Sequence, residues 1–575
     1  MTFFTSRNGG SLRQWGALMV GMGLFFGTHL LAQTGTNTDL VGFPSSSVTS
    51  TNSAPVPMVM ETNAPPVPPL TLSPQTPAMP DQNSIQEPRA PWKATRIFET
   101  THIVDTSTDE LPVPLASWLV LAGLMTFVSL GGFLLYQSGL TRAKNCGHGA
   151  TLLLVGALFA WIGYWMGGFA VQTGGIGDAH AALARPLLAA EKSALDHELG
   201  FMAAGHYWGF MGNSGFFLMT EPGLANSAAA LFFSQSALLV IAVAAALGAA
   251  LERGRIVAMA IGAFVIGALI YPLFANWVWG GGWLAGLGRD YGDSLGHGFV
   301  DLAGAGVVHE TAGTLALVMA VVLGARSGRF GRDNTAWAMP GHHMPFVVLG
   351  ALLLVLSWAG TNAFVGGATL PMSVSVAGLA AVNTLLAAAA GLMISFLLTA
   401  WRKKRPEPAV LCPGLLGGAV ASCGCSALID PWAAFLIGGV AGLIVQGAAT
   451  WLEKQRIDDP SGAAATHGAG GAWGVLATGL FANGTAGFGC NGVEGPVRGL
   501  FFGGAWHQLA AQAIGGATCF VTVFILGYAC FTLLQKIVGL RVDPADEAGG
   551  LDWPQTGALG YQGDPEPDDL SGPKN

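Results

Sequence analysis

The sequence predicts an all-α integral membrane protein of eleven transmembrane helices, built as an inverted five-helix repeat followed by a long final helix. Three observations carry this: a succession of long apolar segments, basic clusters that alternate between them, and a motif that recurs once. Composition agrees. Of 575 residues, 51% are hydrophobic and 10% charged, against roughly 25% charged in soluble domains. The 84 glycines sit largely inside the apolar runs, where small residues let membrane helices approach closely. A net charge of −8 with no basic stripe excludes nucleic acid as a partner and leaves the lipid membrane as the obvious one.

A bilayer core of ~30 Å takes ~20 residues of helix. Segments of that kind run Ala116–Leu140, Ala150–Val171, Ala228–Leu251, Ile256–Trp277, Leu302–Leu323 and Pro345–Val365. They continue with Val374–Trp401, Val410–Leu428, Trp432–Leu452, Gly462–Phe481 and Trp506–Val538. The last exceeds one crossing and is expected to tilt, kink or run on past the membrane.

Basic residues set the orientation. Arg142 and Lys144 follow the first segment, Arg253 and Arg255 the third, and Arg326, Arg329 and Arg332 the fifth. Arg402 to Arg405 follow the seventh, Lys454 and Arg456 the ninth, Lys536 and Arg541 the eleventh. Every cluster lies after an odd-numbered segment. The positive-inside rule then places the N-terminal side outside and the C terminus in the cytoplasm, in a multi-pass inner (plasma) membrane protein.

The start of the chain reads consistently. Arg7 and Arg13 precede the apolar stretch Trp15–Leu31, the pattern of a signal peptide cleaved after Ala32 or of an uncleaved N-terminal anchor. Residues 33–113 are rich in Pro, Ser and Thr and are expected to be a flexible extracytoplasmic segment. The division is therefore 1–32 signal or anchor, 33–113 outer segment, 114–540 membrane domain and 541–575 cytoplasmic tail. The seven cysteines lie in or near apolar segments and read as small hydrophobes, with a disulfide from Cys490 to Cys423 or Cys425 as the alternative. No zinc spacing, nucleophile–base pair or nucleotide loop occurs. No metal, cofactor or enzymatic activity is expected.

Asp301-Leu-Ala-Gly304-Ala-Gly-Val-Val-His309 opens the fifth segment, and Asp459-Pro-Ser-Gly462-Ala-Ala-Ala-Thr-His467 opens the tenth. Asp, Gly and His recur at identical offsets, and Gly313 and Gly471 follow the histidines by four residues. Halves of five segments enter the membrane from opposite sides, an inverted repeat with its site near the midplane. Eight helical residues rise ~12 Å from either face of a ~30 Å core, so both histidines are expected near the middle and within reach of each other. Intramembrane ionisable groups are functional candidates, though each histidine could simply bond a neighbouring helix. Asp301 and Asp459 sit where an N-cap belongs, and a role for Asp459 beyond capping stays open.

Further pieces occur in order: Gly139-Leu-Thr-Arg-Ala-Lys-Asn145, Glu252-Arg253, Trp279-Gly-Gly-Gly-Trp283, Asp301 to Gly313 and Trp358 with Asn362. They are followed by Asp458-Asp-Pro460, His467-Gly-Ala-Gly-Gly471, Val538-Gly-Leu-Arg-Val542 and Gly549-Gly-Leu-Asp552. Over roughly residues 116 to 565 the chain resembles the ammonium transporters (Amt, related to the Rhesus proteins). The resemblance implies a homotrimer with one narrow pore per subunit, ammonium or ammonia as substrate, and a PII-type regulator on the cytoplasmic face. It makes His309 and His467 the twin histidines of the pore and Trp279 the tryptophan of the outer ammonium site. Asp301 becomes a structural or deprotonating carboxylate.

Other matched positions depart from the pattern. The outer-site phenylalanine falls on Leu238, the outer-site serine on Val365, and the gating phenylalanine on Thr361, while Gln235 still fits. Glu310 stands after the first histidine, where an apolar residue is usual; it could pair with His309 or face another helix. About ten extra residues, Gly288 to Phe299, separate Trp279 from Asp301. The function read is ammonium/ammonia transport through a narrow hydrophobic pore. The alternative is an ammonium sensor on the same fold with little or no flux.

Overall fold

The computed structural model describes residues 113–173, 198–203, 206–219, 225–290, 295–333, 335–369, 374–403 and 405–561. The expected signal or anchor, the outer segment up to residue 112 and the last fourteen residues of the tail, 562–575, lie outside them.

The helical order follows the apolar segments. α1 (Val113–Leu140) is followed by α2, made of Cys146–Gly163, the wide π turn Tyr164–Gly168 and Phe169–Thr173. An antiparallel hairpin comes next, β1 (Glu198–Ala203) with β2 (His206–Gly212). α3 (Ala225–Leu247) precedes α4, which runs Ile256–Val265, a π turn Ile266–Ile270 and Tyr271–Trp279. α5 (Trp283–Asp290) is short and amphipathic. α6 joins the π turn Ala305–Glu310 to Thr311–Leu323. Then come α7 (Met344–Thr369), α8 (Val374–Lys403), α9 (Pro408–Ser422) and α10 (Pro431–Lys454). α11 joins the π turn Ala464–Ala469 to Gly470–Phe481, and α12 (His507–Ile537) leads to the small tail helices α13 (Pro544–Gly549) and α14 (Asp552–Thr556).

Among the described residues, nine helices are long and apolar enough to cross a membrane. α9 and α11 take the eighth and tenth places. A helix apolar all round must be covered on every side by protein or lipid, and burial separates the two cases: 94% of the apolar window of α3 is buried inside the protein, against 28% for α12. α3, α4 and α6 therefore form the protein-packed centre of the first half.

The eighth helix is shorter than the sequence predicts. It ends at Ser422 rather than running to Leu428, because Cys423 to Ile429 finds other backbone partners. The carbonyls of Cys423 and Gly424 accept the N–H groups of Ala303 and Leu302. Asn383 donates its amide to the carbonyls of Ser426 and Ile429 at 2.8 Å each. A buried stretch of loop is thus satisfied from two distant segments. All seven cysteines are free thiols, so the alternative of a disulfide from Cys490 is not what the structure has.

The loops after the first, third, fifth and ninth spans meet in one buried ionic cluster. Glu252 accepts Arg142 Nε at 3.1 Å and Arg326 Nη1 at 2.8 Å. Asp458 accepts Arg326 Nε at 2.8 Å and lies 3.6 Å from Arg253. The tail closes over this face: Arg541 grips Glu547, Glu547 accepts the Ser327 N–H, and Asp552 accepts the His148 N–H. Burial raises the pKa of Glu252 and Asp458, but the facing guanidiniums outweigh it and hold both carboxyls at about 2. Their folded pKa lies below the ordinary range of roughly 4. Their contribution is therefore complete above that range and is lost as pH falls through it toward 2. Glu252→Gln leaves two arginines facing a neutral group and should cost about 3–5 kcal/mol. Thermal unfolding of the purified protein at pH 7 checks this, and the wild-type midpoint should fall on acidification below about pH 4.5.

Candidate functional site between the inverted halves

The two copies of the Asp-Gly-His motif fold alike. Asp301 Oδ1 accepts the N–H groups of Gly304 and Ala305 at 3.1 and 2.8 Å, and Oδ2 those of Gly306 and Val307 at 2.9 and 2.8 Å. One carboxylate thus satisfies the first turn of α6, whose donors have no helical acceptor. Asp459 does less, accepting the Ala464 N–H at 2.7 Å. Gly304 (φ 101°) and Gly462 (φ 72°) make the reversals between carboxylate and helix, in a region where a side chain would be strained. Both helices then open on a π turn, Ala305–Glu310 and Ala464–Ala469, which widens the helix by one residue per turn at the histidine.

The following glycines bring the halves together. A Cβ on Gly313 would stand 1.9 Å from Gly468 N, and one on Gly471 would stand 2.5 Å from Ala305 O. α6 and α11 therefore cross at bare backbone. This close crossing lets the histidines touch: His309 Nδ1 lies 3.0 Å from His467 Nδ1, with ring centroids 5.1 Å apart and planes 27° from parallel. Both rings are buried. Two Nδ1 atoms at this distance share one proton, so in the neutral pair one ring is protonated on Nδ1 and the other on Nε2.

The surroundings are apolar and aromatic. Trp358 presents itself edge-on to His309 at 4.9 Å and to His467 at 5.7 Å, and Phe133 lies 5.9 Å from His467. Cys423 Sγ approaches His309 Nε2 at 3.5 Å. Trp358, Phe133 and Cys423 were not legible as site residues. Trp358 serves only as an anchor of the resemblance, Phe133 reads as an ordinary apolar helix position, and Cys423 as a small hydrophobe or a disulfide partner. The repeat is the signal that locates the pair they surround.

The other residues predicted for the site are less gathered. The Trp279 indole N–H donates to the Asp301 carbonyl at 2.7 Å, so this buried tryptophan is tied to the start of α6. Leu238 is fully buried in α3. The Thr361 hydroxyl bonds the Ser357 carbonyl and the Thr126 hydroxyl, both at 2.9 Å; this position joins α7 to α1. Val365 lies in α7, its side chain outside the described residues. Gln235 accepts from Gln172 at 2.9 Å, and Gln172 in turn accepts from the Tyr164 hydroxyl. Glu310 faces another helix: its carboxylate packs beside Gly516 of α12, and Oε2 has no partner. The extra residues after Trp279 dock on α12, where Gln508 and Gln512 bond the backbone of His297, Gly298 and Val300. Among the described residues no cluster of three His, Cys, Asp or Glu could hold a metal.

Comparison with known proteins gives this arrangement a family. The chain is 32% identical over 456 residues to the ammonium transporter Amt2 of Archaeoglobus fulgidus, covering 79% of this chain and 89% of the relative. It is 30% identical over 470 residues to ammonium transporter 1 member 3 of Solanum lycopersicum, covering 78% and 94%. Among solved structures it superposes on a protein described as Sensor Amt Protein with a TM-score of 0.63 at 29% identity, covering 77% of this chain and 98% of that one. The crystal structure of Candida albicans Mep2 superposes with a TM-score of 0.63 at 23% identity, covering 81% and 94%. Residues 116–561 match the model of the Ammonium Transporter Family. The chain belongs to the ammonium transporter family.

Proposed function

We propose that this chain conducts ammonium or ammonia through a narrow apolar pore centred on His309 and His467. The observation that carries the reading is the 3.0 Å contact between two buried imidazoles lined by Trp358 and Phe133. Ammonium as an ion is strongly disfavoured in such surroundings. A neutral molecule crossing there still needs hydrogen-bond partners, and an imidazole pair offers both a donor and an acceptor. The proton is left on the outer side, where Trp279 supports a cation–π contribution of ~1–2 kcal/mol. Asp301 acts by holding the start of α6, and Asp459 by holding that of α11. Leu238, Val365 and Thr361 give the outer site and gate a less aromatic lining than the family pattern.

The same reading places the protein in the inner membrane, with its C terminus and the basic cluster in the cytoplasm. It also takes the active form as a homotrimer, with the basic face as the docking side for a PII-type regulator. A second reading, an ammonium sensor with little flux, is favoured by the likeness to Sensor Amt Protein and by the missing aromatics at Leu238 and Thr361. Expression in cells that lack their own ammonium transporters separates the two. Restored growth on low ammonium is the expected result. Correctly inserted protein that binds ammonium and restores no uptake would move the assignment to a sensor.

A further inference from the structure

Between α6, α10, α11 and α12 lies a cleft of about 260 Å³, walled by Ala448 and Trp451 of α10, Ala472 of α11 and Phe520 of α12. Glu310 of α6 completes the wall. Its carboxylate is buried, and Oε2 has no hydrogen-bond partner. Among the described residues that line the cleft there is no Lys, Arg or His to answer it. The Cys519 thiol of α12 is engaged elsewhere, donating to the Gly306 carbonyl at 3.6 Å and meeting the Thr311 hydroxyl at 3.4 Å. Gly516, also on α12, brings no side chain to the carboxylate; a Cβ there would stand 3.6 Å from Oε2. Trp451 and Phe520 are both exposed, on helices apolar enough to cross a membrane. The cleft therefore opens sideways toward lipid, and neither pore histidine lines it.

Buried polar atoms are nearly always paired, and a carboxylate inside a membrane domain is costly unless a donor or a cation meets it. Here the chain supplies neither to Oε2, while the space beside it is apolar and reachable from the bilayer. That combination, one acceptor in an otherwise hydrophobic pocket, is the form of a site for a small amphipathic ligand. We propose that the cleft binds a compact lipophilic amine that enters from the membrane, its ammonium group on Glu310 and its apolar body among Ala448, Ala472 and Phe520. An ionised carboxylate only accepts hydrogen bonds, so the head of the ligand must donate, and a cationic donor bonds it more strongly than a neutral one. The apolar wall adds burial of the hydrocarbon part and disfavours a free inorganic cation, whose hydration it cannot replace. The site is separate from the path through the histidines and depends on neither the conduction nor the sensor reading. Glu310 follows His309 in the same π turn, so a guest held there bears on the segment that carries the pore histidine.

The probe is 1-adamantylamine, with 1-adamantanol as its uncharged counterpart on the same skeleton. Each is titrated calorimetrically into the full chain in lipid nanodiscs, and the heat from empty nanodiscs is subtracted. The wild type should bind the amine saturably, one per subunit, and the alcohol at least about tenfold more weakly, the difference expected for a hydrogen bond between charged groups. Glu310→Gln keeps the shape of the side chain and removes its charge; it should weaken the amine by at least about tenfold and leave the alcohol unchanged. Ala472→Phe leaves the carboxylate in place and fills the cleft, and should weaken both probes. Each variant is read only where its melting temperature matches wild type, so one misfolded variant leaves the other to decide. Equal affinity of wild type for amine and alcohol would overturn the proposal, since the carboxylate would then contribute nothing. Unchanged amine affinity in either folded variant, or no saturable binding to wild type, would overturn it as well.

Discussion

Gly313→Val should leave almost no folded protein in the membrane, and Gly471→Val should do the same. The first would place a side chain 1.9 Å from Gly468 N, the second 2.5 Å from Ala305 O and 2.7 Å from Glu310 N. Those neighbours are backbone, so they cannot turn aside as a flexible side chain would. Over-packing a core ordinarily costs about 1–3 kcal/mol and more where nothing can yield. Here relief requires α6 and α11 to separate, which would break their crossing at the histidines. The measure is the yield of monodisperse protein on size-exclusion chromatography. Gly447→Ala is the control, since nothing lies within 4 Å of a Cβ at that exposed position. Normal yields for Gly313→Val would mean that the close crossing does not exist in the membrane.

The histidines carry the second large effect. His309→Ala should lower ammonium uptake at least tenfold while the protein stays folded, and His467→Ala should do so as well. Each substitution removes one half of the shared Nδ1 contact, and with it the donor or acceptor that a neutral guest would meet. One hydrogen bond at a dry site is worth about 1–3 kcal/mol, and a factor of ten corresponds to about 1.4 kcal/mol. His309 also bears on Trp358 more closely than His467 does, 4.9 against 5.7 Å. Its loss should therefore loosen the aromatic wall and give the larger defect. Uptake in transporter-deficient cells, normalised to membrane-inserted protein, measures both. Equal uptake in wild type and both variants would remove the pair from the conduction path.

Much of this arrangement is legible in the residues. The Asp-Gly-His repeat places two histidines at matching depths from opposite faces, and the structure has them in contact. The capping reading of Asp301 and Asp459 also describes what their oxygens do, more extensively at Asp301, where four N–H groups converge. Apolarity could not tell where α9 stops, since Cys423 to Leu428 is as apolar as the helix before it. What ends α9 is Asn383, Leu302 and Ala303, remote in sequence and invisible to a local pattern. The π turns at both histidines leave no mark in composition. The residues expected at the entrance are the converse case. Thr361 could be matched to a gating position, but its hydrogen bond to Thr126 depends on the packing of α7 on α1. Hydropathy also passes over the β1–β2 hairpin, whose strand pairing is set by contacts rather than by span length.

In the proposed function a neutral ammonia path runs through the His309–His467 pair. Purified protein in sealed proteoliposomes, given a sudden outward-to-inward ammonium gradient, tests it with internal pH and membrane current recorded together. The expected result is a wild-type response that His309→Ala and His467→Ala each reduce at least tenfold, with no comparable current when potassium replaces ammonium. A potassium current equal to the ammonium current, or a wild-type protein that binds ammonium and gives no response, would contradict it.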